Sequence, residues 1–315
     1  MEYRNLGNSG LKVSVVGIGC NNFGGRADFA QTRAVVEQAL TEGITLFDTA
    51  DVYGNQKSEE LLGQALGNRR HEVIIATKFG SPTGAGPYQR GASRRYIFRA
   101  VEASLRRLGT DYIDLYQIHQ PDPDTPEQET LEALTDLVRA GKVRYVGCSN
   151  YAGWRLAESV HLARERGLSS YIAAQNEYSL LKRDIETELI PACRHYNVGI
   201  LPYFPLASGV LTGKYRRGAE PPADTRMSKA PALRQRMMND TNLAIVDKLA
   251  QFTRRCGHSM VELAMSWLAC QPQVSSVIAG AMNAEQVRQN ANSAGWRLSA
   301  EELAEIDRIT RTPPG

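Results

Sequence analysis

The sequence predicts one α/β domain folded as a closed (β/α)8 barrel of the TIM type, with long loops at the C-terminal face of the barrel. Short apolar runs alternate with amphipathic, helix-length segments along all 315 residues, a pattern typical of parallel strands joined by helices. About eight such alternations in roughly 300 residues match the size of this barrel. No linker interrupts them, so we expect a single domain over residues 1–315.

Eight segments have the composition of short buried strands, since they are rich in β-branched or aromatic residues and end at glycine or polar residues. In chain order they are VSVVGIG, ITLFD, EVIIATKF, YIDLYQIH, VRYVGCS, YIAAQNE, VGILPYF and VSSVIAG. Their number equals the number of strands that a (β/α)8 barrel requires.

Between these strands, apolar residues recur at three- and four-residue spacing, which predicts crossover helices. The clearest examples are QTRAVVEQALTEG, RRYIFRAVEASLRRLG and PEQETLEALTDLVRAG, and each ends at a glycine, a common helix stop. Two longer connections are FGSPTGAGPYQRGAS after the third strand and residues 213–240 after the seventh. We predict that both are loops at the face where barrel sites lie.

Composition argues against several classes of protein. A formal charge of +3 from 37 basic and 34 acidic residues is too balanced for a nucleic-acid surface, so we expect no nucleic acid partner. The sequence has neither a secretory signal pattern nor a stretch of ~18 apolar residues, so we expect no membrane association. Five cysteines without a C-x-x-C pair do not predict a disulfide framework, and we expect a cytoplasmic location.

Four polar side chains lie at or just beyond the ends of consecutive predicted strands. Asp48 ends the second strand, Tyr53 follows on its loop, Lys78 lies at the end of the third strand and His119 ends the fourth. Because the carboxyl ends of all barrel strands meet around one mouth, we expect these side chains to face one another. The sequence contains no HExxH motif, histidine cluster or cysteine knuckle, so we predict no metal.

This set of side chains suits the reduction of a carbonyl group. As hydride reaches the carbon, negative charge develops on the oxygen and a proton must be delivered to it. We predict that Tyr53 donates this proton and that the Lys78 ammonium favours ionisation of the phenol. Asp48 is the predicted counter-charge of Lys78, and a neutral His119 is predicted to orient the substrate oxygen. The chemistry then requires an organic hydride source.

Each residue taken singly also has a structural explanation. Asp48 could cap a turn, Lys78 could form a surface ion pair and His119 could be a satisfied core histidine. Their joint placement favours the catalytic interpretation, whereas Asp51 is predicted to be a solvated or turn-forming acid. A Rossmann unit at VVGIGCNNFGG is disfavoured, because Asn22 replaces the third glycine of that motif.

The strand-end motifs LFDTADVYG, TKFG, IHQPD, GCSN, QNEYS and PLASGVLTGKY resemble, in this order, those of the aldo-keto reductase superfamily. In particular, the chain resembles bacterial members that are similar to potassium-channel β-subunits. The resemblance implies an NADP-dependent reductase of small aldehydes or ketones. It also places the family's catalytic tetrad on Asp48, Tyr53, Lys78 and His119.

The same resemblance implies contacts with NADP(H). Ser149, Asn150 and Gln175 are implied to hold the nicotinamide amide, with Tyr203 stacked against the ring. The implied contacts from the pyrophosphate to the adenosine are Pro205, Leu206, Ser208, Gly209, Lys214, Gly280, Gln286 and Asn290. Lys214, together with Arg226 in the same basic loop, is a candidate partner of the 2′-phosphate that distinguishes NADPH from NADH.

Some positions depart from the family's pattern and bear on the cofactor contacts or the substrate pocket. They are Asn21, Phe204, Ala279, Met282 and Gln289. An alternative function also remains open, in which the barrel is an NADP(H)-binding regulatory subunit that senses redox state with little turnover. Steady turnover of a simple aldehyde distinguishes the enzyme from the sensor.

Overall fold

A short antiparallel hairpin precedes the barrel. The computed structural model describes residues 1–86, 88–215, 220–223 and 226–311, with the backbone but not the side chains of Arg226 and Lys229. The hairpin consists of β1 (Tyr3–Asn5) and β2 (Lys12–Ser14). The predicted strand VSVVGIG therefore divides into two elements, since the barrel strand begins only at Val16. The Ser14 hydroxyl donates to the Val16 carbonyl oxygen at 2.7 Å and stabilises the break between them.

Eight parallel strands form the barrel. They are β3 (Val16–Gly19), β4 (Leu46–Asp48), β5 (Ile74–Phe79), β6 (Ile113–Ile118), β7 (Val143–Ser149), β8 (Ala173–Gln175), β9 (Gly199–Ile200) and β10 (Val277–Gly280). Neighbours pair in chain order from β3 to β9, and β10 pairs with β3. Parallel bridges from Ile200 to Val274 and from Tyr203 to Ile278 close the remaining gap. The predicted (β/α)8 barrel is confirmed, and every predicted strand segment contains one barrel strand.

Helices surround the barrel. The crossover helices between β3 and β9 are α1 (Phe29–Thr41), α2 (Lys57–Leu66), α3 (Arg94–Leu108), α4 (Glu127–Arg139), α5 (Gly153–Arg166) and α6 (Leu189–Tyr196). Those after β9 are α7 (Arg226–Lys229), α8 (Pro231–Met237), α9 (Asp240–Cys256), α10 (Met260–Ala269), α11 (Ala284–Asn292) and α12 (Ala300–Arg311). The three clearest predicted helices correspond to α1, α3 and α4. None of the helices in the described ranges is long and apolar enough to cross a bilayer.

The N-terminal hairpin closes the bottom of the barrel. Leu6 and Val13 of the hairpin are completely buried against a small apolar cluster inside the barrel that includes Leu46 and Leu201. Gly7 has a positive φ, and a Cβ there would lie 2.3 Å from the Ile172 carbonyl oxygen, so only glycine permits this close approach. A larger apolar core fills the space between strands and helices. With the bottom plugged, the C-terminal mouth is the end at which polar strand-end residues meet.

Two long connections leave this mouth, as predicted. Residues 80–93 after β5 are described except for Pro87, and backbone bonds from Thr83 to Gln89 and from Gly91 to Gly80 hold the loop together. The connection after β9 contains a short 3₁₀ helix (Ala207–Thr212) and then α7 and α8. Residues 216–219 and 224–225 of this predicted loop lie outside the described residues.

Candidate active site

A buried ion pair forms the floor of the C-terminal mouth. The Nζ of Lys78 donates to Oδ1 and Oδ2 of Asp48 at 2.8 and 2.7 Å, and to the Thr49 carbonyl oxygen at 2.8 Å. Gln175 donates from Nε2 to Asp48 Oδ1 at 2.8 Å. Strands β4, β5 and β8 thus bring together residues that are up to 127 positions apart in the chain. The two charges neutralise each other and are hydrogen-bonded, which is the condition for burying an ion pair in a stable fold.

Tyr53 lies above this ion pair on the loop between β4 and α2. Its hydroxyl is 3.5 Å from Lys78 Nζ, and the ammonium lies 5.1 Å from the centroid of the phenol ring. After Tyr53 the chain turns sharply through three residues with positive φ, beginning at Gly54. A Cβ at Gly54 would lie 2.2 Å from the Phe23 carbonyl oxygen, so this turn requires glycine.

Burial and charge act in opposite directions on the two groups that share this contact. Burial raises the pKa of Tyr53, and the nearby Lys78 ammonium offsets this only in part, so the net pKa lies above that of a free tyrosine. Burial lowers the pKa of Lys78, but the charges of Asp48 and Tyr53 raise it more. Lys78 therefore lowers the pKa of Tyr53, which is the predicted direction, but burial raises that pKa by more.

His119 faces Tyr53 across the mouth. The two rings meet edge to face, with centroids 5.7 Å apart and an interplanar angle of 79°. Burial, assisted by the charge of Lys78, lowers the pKa of His119 to about 3. The imidazole is therefore neutral at physiological pH, as the sequence predicts. Its Nδ1 is buried without a hydrogen-bond partner among the described residues.

A cavity of about 770 Å³ extends from this group of side chains across the mouth to the start of α11. Every predicted site residue lines it except Lys78, which lies beneath the floor, and Arg226, whose side chain is outside the described residues. The positions that depart from the family's pattern line it as well. The sequence analysis did not assign the lining residues Gly19, Asn22, Arg26, Thr212, Val261 and Ile278 to the site. Asn22 and Arg26 follow the end of β3, so the strand-end rule applied to that loop would have found them.

The residues assigned to the nicotinamide contact one another. Asn150 has a positive φ, and its side-chain nitrogen donates to the His119 carbonyl oxygen at 3.0 Å and to Ser149 Oγ at 3.1 Å. The Tyr203 hydroxyl donates to Asn150 Oδ1 at 2.8 Å. Ser149 Oγ donates to the Gln175 carbonyl oxygen at 2.8 Å. These bonds join the ends of β6, β7, β8 and β9 into one polar rim beside Tyr53.

The loop after Tyr203 is folded in an unusual conformation. Phe204, Ala207 and Ser208 all have positive φ, a left-handed conformation that costs non-glycine residues free energy and is concentrated at functional sites. The Ser208 hydroxyl is buried and has no hydrogen-bond partner among the described residues. The Lys214 ammonium approaches Gly209 in the same loop, 3.4 Å from where a Cβ would lie. A hydroxyl without a hydrogen-bond partner among the described residues and a cation thus both line the cavity.

The far end of the cavity lies at the N-terminus of α11. Asn283 caps this helix by accepting from the Gln286 backbone nitrogen at 2.9 Å. Gln286 accepts from the Met282 backbone nitrogen at 2.8 Å, and Asn290 donates to the Gly280 carbonyl oxygen at 3.4 Å. The segment GAMNAEQ therefore opens a helix, with Gly280 and Gln286 facing the cavity.

The sequence predicts that Asp51 is a solvated or turn-forming acid. It does lie in a turn, in which the Tyr53 backbone nitrogen donates to the Ala50 carbonyl oxygen at 3.2 Å, but it is not solvated, because it is only 2% exposed. The strand-and-turn pattern could not show this, because the side chain points away from the mouth into the layer between the barrel and α3, where Tyr96 donates to its Oδ2 at 3.3 Å. Its other oxygen has no hydrogen-bond partner among the described residues.

Comparison with known proteins decides the classification. The sequence profile of the Aldo/keto reductase family matches residues 15–311. The chain belongs to the aldo/keto reductase family. The predicted family is thus confirmed, and the family assignment supports an oxidoreductase that acts on small carbonyl compounds.

The relatives of this aldo/keto reductase carry names of two kinds. It is 38% identical to a probable voltage-gated potassium channel subunit beta of Arabidopsis thaliana, over 100% of this chain and 98% of that protein. It is 37% identical to the L-glyceraldehyde 3-phosphate reductase of Escherichia coli K12, over 98% and 92%. It is 33% identical to the versiconal hemiacetal acetate reductase of Aspergillus parasiticus, over 98% and 96%. Reductases and channel subunits are therefore similar to it over nearly their whole length.

Proposed function

We propose that this protein is an NADP(H)-dependent reductase that converts aldehydes or ketones to alcohols. The observation that carries the proposal is the arrangement of Tyr53, whose hydroxyl faces the cavity, lies 3.5 Å from the Lys78 ammonium and faces an uncharged His119. A phenol beside a cation and a neutral imidazole can deliver a proton to a carbonyl oxygen and hold that oxygen in place. The names of two relatives, both reductases, agree with this chemistry.

The cavity fits a dinucleotide cofactor. Its wall offers the Ser208 hydroxyl, which has no hydrogen-bond partner among the described residues, and the Lys214 ammonium. Both groups suit a pyrophosphate, because phosphate oxygens accept from hydroxyls and attract cations. The N-terminus of α11 at the far end adds the positive end of a helix dipole, which favours an anion. When bound, the cofactor supplies the hydride.

The residues of the chain would then handle the substrate oxygen. His119 donates a hydrogen bond from its neutral ring and orients the carbonyl toward Tyr53. Tyr53 transfers its hydroxyl proton as negative charge develops on that oxygen. Lys78 stabilises the phenolate that remains, and Asp48 keeps Lys78 charged and fixed, since both of its oxygens accept from Nζ.

Oxidation of NADPH by the purified protein, with a nitrobenzaldehyde as substrate, tests this proposal. Tyr53→Phe should keep its affinity for NADPH, because the ring volume is preserved, while turnover falls by about 10²–10⁴-fold, the range for loss of a general acid. Tyr3→Phe, an exposed tyrosine on the hairpin, is the matched control and should turn over normally. Near-normal turnover by Tyr53→Phe would contradict the proposed mechanism.

A regulatory subunit that senses redox state is the second candidate, favoured by the similarity to the channel subunit of Arabidopsis thaliana. It would use the same cavity to bind NADP(H) but would turn over little. Tight NADPH binding, without measurable oxidation across small, aromatic and sugar aldehydes, would favour this candidate over the reductase. Steady oxidation with any of them would favour the reductase.

A further inference from the structure

Asp51 is a buried carboxyl group for which the proposed chemistry has no use. Tyr96 of α3 donates to its Oδ2 at 3.3 Å, and Oδ1 has no partner among the described residues. No cation among the described residues forms an ion pair with it. A buried carboxylate without a cation or a full set of hydrogen bonds is costly, and the group avoids that cost by remaining protonated.

The charged groups that face Asp51 from the surrounding elements reinforce this conclusion. On α2, Glu59 is completely buried and accepts from Thr77 at 2.6 Å. On α3, Arg107 is close enough to act on Asp51 electrostatically, but its guanidinium donates a hydrogen bond to Glu59 at 2.7 Å. On β5, the Lys78 ammonium is already bonded to Asp48. The nearest cations therefore already have carboxylate partners, and the acid that faces Asp51 repels a second negative charge.

A tyrosine on β6 belongs to the same buried layer. The hydroxyl of Tyr116 is completely buried and has no partner among the described residues. Burial and the charge of Asp51 raise its pKa well above the usual range, so it remains neutral. For Asp51 itself, burial and the charge of Glu59 raise the pKa to about 7. Asp51 and Tyr116 are therefore both uncharged at lower pH, and the layer gains a negative charge when Asp51 ionises near neutrality.

The backbone connects Asp51 directly to the catalytic group. Its amide nitrogen donates to the Lys78 carbonyl oxygen at 3.1 Å, and Thr49 donates in the same way to Ala76 at 2.8 Å. Tyr53 is two residues further along this segment and donates from its backbone nitrogen to Ala50 at 3.2 Å. The segment that carries the proton donor is therefore fixed to β5 by its backbone and to α3 by the side chain of Asp51.

We propose that Asp51 is a positioning residue which, as a neutral carboxylic acid, anchors the segment bearing Tyr53, and that its ionisation lowers reductase activity. The inference rests on the proposed function. A carboxylate in this layer is driven toward water, because the nearest described cations are already paired with other carboxylates, and this movement loosens the anchor.

The test compares wild type with Asp51→Asn, whose amide oxygen still accepts from Tyr96 but does not titrate. We expect wild-type kcat/KM for aldehyde reduction to fall several-fold between about pH 6 and pH 8.5, while Asp51→Asn keeps its low-pH value within about two-fold. Asp51→Ala, which loses the anchor, should be impaired across the whole range. Asp247→Asn, an exposed acid on α9, is the matched control and should follow the wild type.

Infrared difference spectroscopy provides a readout that does not depend on turnover. We expect a carboxylic-acid C=O band at about pH 6 in the wild type that is absent from Asp51→Asn and disappears as pH rises through the group's titration. Absence of that band overturns the inference whatever the activity. A band accompanied by identical pH profiles in wild type and Asp51→Asn also overturns it. Failure of the wild type to reduce any aldehyde would contradict the proposed function, while the band would still decide whether the acid is neutral.

Discussion

Asp48 and Asp51 are three residues apart on one segment, yet they lie in opposite environments. They are almost equally buried, at 3% and 2% exposure. Asp48 points into the barrel and accepts from a lysine through both oxygens and from Gln175. Asp51 points outward to α3 and accepts one long bond from a tyrosine. The same functional group is therefore an anion in one site and, below neutral pH, an uncharged acid in the other.

The difference shows that the partners of a buried carboxyl group decide its charge, and burial by itself does not. Each environment depends on which face of the segment a side chain occupies. Inward-facing residues meet the ends of other strands, where Lys78 and Gln175 converge. Outward-facing residues meet α2 and α3, where the cation of Arg107 is already bonded to Glu59. Four substitutions test this comparison and the site around it, from the largest expected effect to the smallest.

Removal of the cation from the paired site should have the largest effect. Lys78→Met leaves Asp48 buried without its counter-charge, and breaking a buried pair in this way costs about 3–5 kcal/mol of stability. Turnover should fall by at least about 10²-fold, since Tyr53 loses the charge that stabilises its phenolate. Urea unfolding and NADPH oxidation measure the two effects. Lys248→Met changes an exposed lysine on α9 and is the control. Wild-type activity in Lys78→Met would exclude the proposed action of Lys78 on Tyr53.

The Asp→Asn substitution should change the free energy of unfolding in opposite directions at the two sites. Asp48→Asn leaves the Lys78 charge buried and should lower the free energy of unfolding by several kcal/mol. Asp51→Asn should raise that free energy relative to wild type at about pH 8, because it removes a carboxyl group whose ionisation is disfavoured in the folded state.

The sign of the Asp51 effect follows from its pKa, which burial and Glu59 raise to about 7 in the folded protein. As pH rises from about 4, the unfolded chain loses this proton first, so wild-type stability falls until the folded group also ionises near 7. Each pKa unit corresponds to roughly 1.4 kcal/mol, so the advantage of Asp51→Asn should grow to a few kcal/mol and then level off. An advantage that is equal at about pH 4 and about pH 8 would contradict this account.

Loss of one charge contact with the cofactor should have the smallest effect, because it removes neither the proton donor nor the buried ion pair beneath it. Arg226 begins α7, and its proposed contact with a 2′-phosphate stays a prediction. Arg226→Ala should weaken NADPH binding by about 10-fold and leave NADH binding nearly unchanged, since only NADPH carries that phosphate. Fluorescence titration with both nucleotides measures the difference, with the exposed Arg139→Ala as the control. Equal losses for both nucleotides would argue against the contact.

The sequence predicted the fold and the residues of the site, but it predicted fewer of the contacts among those residues. Strand periodicity located all eight barrel strands, and the strand-end rule placed Asp48, Lys78 and His119 at one mouth. The hairpin was missed, because residues 13–19 read as one strand although the chain bends at Val15. A period of two specifies alternation along a strand but does not reveal where a short run changes direction.

Contacts between distant strands were the harder part of the site. Gln175 was assigned to the nicotinamide, yet in the structure it donates to Asp48, a pairing across 127 positions that no local pattern encodes. Asp51 was predicted to be a solvated or turn-forming acid, and only the turn is found in the structure. The layer formed by Tyr96 and Glu59, which buries it, becomes visible only once α2 and α3 are packed against the barrel.

The pairing of β3 with β10 has a consequence for how the chain is made. Val16 pairs with Val277, so the first barrel strand must wait for a partner synthesised about 260 residues later. At ribosomal rates of about 5–20 residues per second, that interval is roughly 13–50 s. During this interval β10 is not yet available to pair with the edge of β3. The barrel therefore cannot close around the plug formed by Leu6 and Val13. A nascent chain is therefore open to misassociation at this edge for tens of seconds.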